Sequence, residues 1–195
     1  FQKKVEMSDV KKTIAVIGAG AVGRRVLATA GAFGMRTVAL NRAGASKTAA
    51  DLGVDVVFAH EKIHAMLNGA DALVLCLPHT PESEGLINAA ALAALKPGAV
   101  LVNVARGVVV DEEALVAALQ SGHIGSAALD VFAVEPLPPD SALWDMSNVL
   151  ISPHSASTVT AENMRITDIF CHNLRCFIDD RFGDMRNMLN KDRMY

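Results

Sequence analysis

Gly18-Ala19-Gly20-Ala21-Val22-Gly23 spells G-x-G-x-x-G, a spacing that gains meaning when a strand precedes it and a helix follows. The first glycine permits a tight turn, the second lets the backbone approach a pyrophosphate, and the third lets the helix pack close to the strand. The anion then sits at the helix N-terminus, where unpaired N–H groups favour negative charge. Gly18, Gly20 and Gly23, with Ala21 and Val22 opening the helix, are therefore candidate dinucleotide-binding residues. The choice of dinucleotide turns on the end of the second predicted strand, where Asn41 lies 18 residues past Gly23 and is followed by Arg42. NAD sites usually carry Asp or Glu about 20 residues on, to hold the ribose 2′-hydroxyl. An uncharged Asn41 removes repulsion towards a 2′-phosphate, and the Arg42 guanidinium supplies a bidentate partner. The pair favours NADP(H) over NAD(H). The competing reading is a solvated Arg42 beside an Asn41 that still bonds a 2′-hydroxyl.

The elements that must position these residues follow from periodicity. Residues 13–17 are a short apolar run ending at glycines, a buried strand, and residues 21–33 carry Val22, Val26, Leu27, Ala30 and Phe33 at helical spacing with Gly34 at the C-cap. The alternation continues with strands at 37–40, 54–58, 72–77, 99–104, 126–131 and 149–152. The intervening helices fall at 45–52, 61–67, 89–95 and 111–120, and a long terminal helix at 159–180. Continuous apolar strands alternating with helices mean a parallel sheet covered on both faces. With right-handed crossovers the leading topology is the doubly wound α/β (Rossmann) fold, as a single domain.

The 195 residues are 51% hydrophobic and 20% charged, which excludes a disordered chain. A net charge of −3 argues against non-specific nucleic-acid binding. The longest apolar stretch, 86–104, is broken by Lys96-Pro97-Gly98 and cannot span a bilayer. No membrane or nucleic-acid partner is expected. The polar start lacks a signal-peptide core, and three cysteines without CxxC spacing read as reduced thiols, pointing to the cytoplasm. Cys171, His172 and Cys176 do not make a metal site, because thiols five residues apart project from different faces of a helix.

Beyond the glycine motif, ordered blocks run through the chain. They are Ala32-Phe33-Gly34-Met35, Leu77-Pro78-His79-Thr80-Pro81-Glu82-Ser83, residues 96–107, Val110-Asp111-Glu112, residues 128–137, Leu143-Trp144 and Ser152-Pro153-His154. In these blocks, over about residues 13–190, the sequence resembles the D-isomer-specific 2-hydroxyacid dehydrogenases. The resemblance implies three catalytic positions. Arg106 would bind the carboxylate of a small 2-oxo or 2-hydroxy acid and polarise the neighbouring carbonyl. His154 would be the general acid in reduction and the base in oxidation, and Glu135 would pair with it and stabilise the imidazolium. It also implies that Asp130 lies beside the nicotinamide, with Leu77, Pro78, Val104 and Ala105 lining the cofactor. The residues agree in part: Arg106, Asp130, Glu135 and His154 all follow predicted strands, at the edge where doubly wound sheets bind ligands. Nothing in their spacing pairs Glu135 with His154. His79 lies in a loop expected near the cofactor and receives no role.

The departures from the family pattern are informative. Ala21 stands where many members carry Arg, removing one phosphate contact, and Ala156 stands near the usual Gly after the catalytic His, tightening a cofactor-side loop. Glu135 rather than Gln argues against the formate-dehydrogenase branch. Asn41-Arg42 looks more like the NADPH-linked glyoxylate/hydroxypyruvate reductases than the NAD-linked phosphoglycerate enzymes. Members carry a flavodoxin-like substrate domain that is absent from this sequence, while Met185-Arg186-Asn187 and Met194-Tyr195 resemble the usual ending. The implied organisation is a linker at 1–12, a dinucleotide-binding domain at 13–158, and a C-terminal helix and tail at 159–195 returning to the missing domain. Part of the stripe Ile166, Phe170, Leu174 is then expected to be uncovered or taken up by a neighbouring chain, and a homodimer is the expected assembly. The alternative from another class is a non-catalytic dinucleotide sensor or corepressor-like protein of the same fold.

Overall fold

The computed structural model describes residues 12–40, 48–156 and 158–191. Asn41 and Arg42, and all of the expected linker except Lys12, lie outside the described residues. Seven strands form one sheet: β1 Thr13–Ile17, β2 Arg36–Leu40, β3 Val56–Phe58, β4 Ala72–Leu75, β5 Ala99–Asn103, β6 Ile124–Leu129 and β7 Val149–Ile151. Every neighbouring pair is parallel, in the order β3-β2-β1-β4-β5-β6-β7. The expected doubly wound sheet is the observed one. Chain direction across the sheet reverses between β1 and β4, where Ile17 lies between Leu40 and Leu75. Ligands of such sheets bind outside the strand ends at that reversal.

Helices cover both faces. They are α1 Ala21–Ala32, α2 Ala49–Leu52, α3 Ile63–Leu67, α4 Ala89–Ala94 and α5 Glu112–Gln120. All five residues of β1 are buried, and they alternate between two cores as period-two side chains must. Ile14 and Val16 join Leu27 and Ala30 of α1 on one face. Ala15 and Ile17 join Leu67, Leu92, Leu115 and Ile124 on the other. Each fully buried leucine contributes roughly 1.5–3 kcal/mol, so these faces, rather than helix propensity, hold α2 to α4 in place. Such short helices are marginal in isolation.

The observed ends differ slightly from the periodicity. The segment predicted as helix at 61–67 begins as a 3-10 turn, His60–Lys62, before α3. β6 ends at Leu129, two residues early, because Asp130 turns its side chain to the end of β7. The terminal helix, α6 Glu162–Ile178, stops before Asp180, whose φ of +56° leaves the helical region.

Two compact units result, Phe1–His154 and Ser155–Tyr195. Within the second, Phe177 meets Phe182 edge-on with centroids 5.7 Å apart, and Cys176 is fully buried 3.6 Å from His172 Nε2. Ile166, Phe170 and Leu174 are 58%, 63% and 45% exposed, so their own unit leaves the stripe uncovered. Among the described residues no helix is long and apolar enough to cross a membrane. None of them group three His, Cys, Asp or Glu side chains fit to hold a metal.

Opposite the reversal, at the amino-terminal edge, Asp71 gathers three donors. It accepts from the Thr13 N–H at 2.9 Å, from Lys96 Nζ at 2.9 Å and from Lys12 Nζ at 3.1 Å. Partial burial raises its pKa, but these donors outweigh that effect and lower it from 3.8 to about 2. A folded-state pKa below the unfolded value contributes stability that is complete above pH 4 or so and lost as pH falls towards 2. Asp71→Asn should therefore cost about 2 kcal/mol at neutral pH, measured by urea unfolding, and the gap to the parent protein should close in acid. A gap independent of pH would mean that the ionised carboxylate is not the stabilising form.

Candidate functional site

Along the carboxyl edge, the residue after each of four strands donates its N–H to the last carbonyl of the neighbouring strand. Cys76 donates to Ile17, Val104 to Leu75, Asp130 to Asn103 and Ser152 to Leu129, at 2.8 to 3.3 Å. This staircase lines up Gly18, Leu77, Val104, Ala105 and Asp130, which are far apart in sequence, on one rim. Gly18 has φ +97°, and a side chain there would overlap the Cys76–Leu77 peptide of the neighbouring strand. A Cβ on Gly23 would overlap the Gly18 carbonyl, whereas one on Gly20 would meet open space. Two glycines are thus needed for packing inside the protein, and Gly20 leaves room for something outside it.

Gly20 is the N-cap of α1, without a side-chain cap bond and without an acidic residue in the first turn. The helix therefore begins with N–H groups and a positive dipole end uncompensated by side chains. Ala21 and Val22 are exposed beside it. This cradle fits a pyrophosphate. The loop after β4 is held by buried Ser83, whose hydroxyl donates to the Pro78 carbonyl at 2.9 Å and accepts from the Thr80 N–H at 2.8 Å. Leu77 is half-buried and Pro78 exposed on that rim. Burial pushes the Cys76 thiol up, away from nucleophilic reactivity. His79 lies 3.5 Å from Glu84 in the same loop.

Arg106 is presented by a turn that Asn103 builds. Asn103 is 1% exposed; its Oδ1 accepts from the Ala105 N–H at 3.0 Å and its Nδ2 donates to the Arg106 carbonyl at 3.1 Å. The turn leaves the Arg106 side chain exposed. Gly107 follows immediately, and any Cβ there would overlap the Phe132 carbonyl carbon and oxygen. The loop after β5 and the loop after β6 therefore touch backbone to backbone.

The loop after β6 carries Glu135. One carboxylate oxygen, Oε1, accepts from the Phe132 N–H at 3.0 Å, and the other, Oε2, lies 2.7 Å from His154 Nδ1. Burial raises the Glu135 pKa, but the hydrogen bonds from His154 and Phe132, with the positive charges of His154 and Arg106, lower it below the ordinary carboxylate range. His154 adopts φ +52°, a left-handed conformation uncommon outside glycine, so its ring is aimed by a strained backbone at the end of β7. Beside it, buried Asp130 accepts a 2.5 Å hydrogen bond from the Ser152 hydroxyl. With Glu135 on Nδ1, the Nε2 edge of His154 is available for proton exchange. Ala156 belongs to the second unit and is exposed.

The match to known proteins is extensive. Residues 2–156 fit the model of the D-isomer specific 2-hydroxyacid dehydrogenase NAD-binding domain. The chain belongs to that family. It is 43% identical over 159 residues to D-3-phosphoglycerate dehydrogenase of Mycobacterium leprae, covering 81% of this chain and 29% of that protein. Glyoxylate reductase of Aeropyrum pernix is 35% identical over 181 residues, covering 93% of this chain and 52% of that protein. The crystal structure of a D-isomer specific 2-hydroxyacid dehydrogenase from Xanthobacter autotrophicus Py2 in complex with NADPH and MES superposes with a TM-score of 0.83 at 38% identity. That superposition covers 94% of this chain and 73% of the other. The chain thus spans about a third to a half of the length of these two relatives matched by sequence.

Within this dehydrogenase domain, three supporting residues carry no catalytic signal of their own in the sequence. Asn103 could have been noticed as the lone amide closing an apolar strand, and Gly107 as a glycine without turn partners. The Ser152 hydroxyl has no local signature, because its partner Asp130 is 22 residues away. An apolar groove of about 580 Å³ runs along α1, lined by Ile14, Val26 and Phe33 among others. Gly107→Ala should force the two loops apart and destabilise the domain by about 2 kcal/mol or more, seen as a lowered Tm. The Glu135–His154 hydrogen bond should be lost with it. An unchanged Tm would show that the backbone approach is not a constraint.

Proposed function

We propose that this domain serves a reductase that transfers hydride between NADP(H) and a small 2-oxo acid such as glyoxylate or hydroxypyruvate. The observation that carries the proposal is the 2.7 Å pairing of Glu135 with His154 on the rim that also holds Arg106. Arg106, a planar bidentate donor, takes the substrate carboxylate and draws electron density from the adjacent carbonyl. His154 keeps its Nδ1 proton on Glu135 and delivers the Nε2 proton to the carbonyl oxygen, leaving neutral imidazole that is reprotonated from solvent. Glu135, its pKa lowered by the bonds from His154 and Phe132, stabilises the imidazolium before that transfer. When bound, the nicotinamide supplies the hydride for reduction or accepts it in the reverse direction. Gly18, Gly20, Gly23, Ala21 and Val22 would hold its pyrophosphate, and Leu77, Pro78, Val104, Ala105 and Asp130 would line the nicotinamide end.

The cofactor preference rests on Asn41 and Arg42, and on the likeness to the Xanthobacter autotrophicus Py2 dehydrogenase in complex with NADPH. The reactive rim lies on an open strand edge, so full turnover needs a covering domain that excludes water. In this reading residues 159–195 return to that domain, and the intact enzyme is a homodimer.

Titrating the chain with NADPH and NADH side by side should give a preference for NADPH of about tenfold, or 1.4 kcal/mol, abolished by Arg42→Ala. Equal affinities would remove the NADP reading and leave the family membership untouched. In the intact protein, His154→Ala should lower the rate of glyoxylate reduction by roughly 10²–10⁴-fold. An unchanged rate would instead favour a dinucleotide sensor.

A further inference from the structure

We propose that Glu112 is a positioning residue for the Glu135–His154 pair, holding from the first turn of α5 the loop on which Glu135 stands. Glu112 Oε2 accepts the Ala133 N–H at 3.0 Å across 21 residues of sequence. The peptide that it grips, Phe132–Ala133, is also the one that lies against Gly107. That peptide is therefore held by two contacts, a glycine with no room for a side chain and a carboxylate. The next link runs through the Phe132 Cα to the preceding peptide, whose Phe132 N–H donates to Glu135 Oε1 at 3.0 Å while Glu135 Oε2 meets His154 at 2.7 Å. Where the Phe132 N–H points thus decides where the Glu135 carboxylate, and through it the His154 ring, can point.

A charged acceptor suits this task. Its bond to a backbone N–H is roughly twice as strong as a neutral one, and the start of a helix favours the anion. Helix-end charge alone does not explain Glu112, since exposed Glu113 occupies the same first turn. Arg106 is held independently by Asn103. Loosening the Glu135 loop should therefore disturb proton transfer more than carboxylate binding.

The inference rests on the acid–base role proposed for His154, and two readouts separate the ideas. The first is the ¹³C NMR titration of the Glu135 carboxyl in the full chain, which needs no turnover. The second is reduction of glyoxylate by NADPH in the intact protein, with kcat and KM resolved. In Glu112→Ala the Glu135 midpoint should rise towards the ordinary carboxylate range. Its kcat should fall by about tenfold to a hundredfold, with KM changed by less than about twofold. Glu112→Gln, which keeps an acceptor, should recover most of both properties. Glu112→Asp keeps the charge but falls short of Ala133, so it should behave like Glu112→Ala and serves if the alanine variant does not fold. Glu113→Ala should match the parent. A Glu135 titration unmoved in folded Glu112→Ala or Glu112→Asp, or moved equally by Glu113→Ala, would overturn the assignment. A parent protein that reduces no 2-oxo acid would remove the proposed reaction while the titration still decides the role of Glu112.

Discussion

The backbone contact between Gly107 and the Phe132–Ala133 peptide is the constraint on which the candidate site depends. Two loops leaving adjacent parallel strands would ordinarily be held apart by their side chains. Here the loop after β5 carries Arg106 and has no Cβ at the next position, so the loop after β6 can rest on it. That brings the Glu135 carboxylate within the electrostatic reach of Arg106 and within 2.7 Å of His154. Three groups drawn from the ends of three strands then share one rim. Two of them are held from behind by groups with no direct chemical task, Arg106 by the amide of Asn103 and Glu135 by the backbone N–H of Phe132.

The sheet makes that rim possible. Parallel strands all present their carboxyl ends on one side, and the hydrogen bonds that continue past β4 to β7 keep the exits in step. The reversal between β1 and β4 opens space above Gly18, where the start of α1 offers uncompensated N–H groups to an anion. The open start of α1 and the Glu135–His154 pair are thus consequences of one strand order. The opposite edge does different work, with Asp71 joining Thr13, Lys12 and Lys96 in a cluster that stabilises the sheet.

Family membership in the D-isomer-specific 2-hydroxyacid dehydrogenases is consistent with this division of labour. Ile166, Phe170 and Leu174 of α6 are exposed, as are the side chains of Arg106 and His154.

Much of this protein was legible in its residues. The buried strand at 13–17, the glycine spacing after it and the alternation of apolar runs with helical patterns are local signals, written in period and turn chemistry. They led to a doubly wound parallel sheet because few other topologies bury such strands on both faces. Boundaries were less legible where a side chain is called away, as at Asp130, or where a turn tightens, as at His60–Lys62. Spacing alone could not pair Glu135 with His154, nor seat Glu112 on Ala133. Those contacts span 19 and 21 residues and exist only because strand order brings separate loops to one rim. Sequence determined the elements and the residue types available for chemistry. Tertiary structure decided which of them meet, because hydrogen bonds act over about 3 Å and only the packed sheet brings groups from different strands that close.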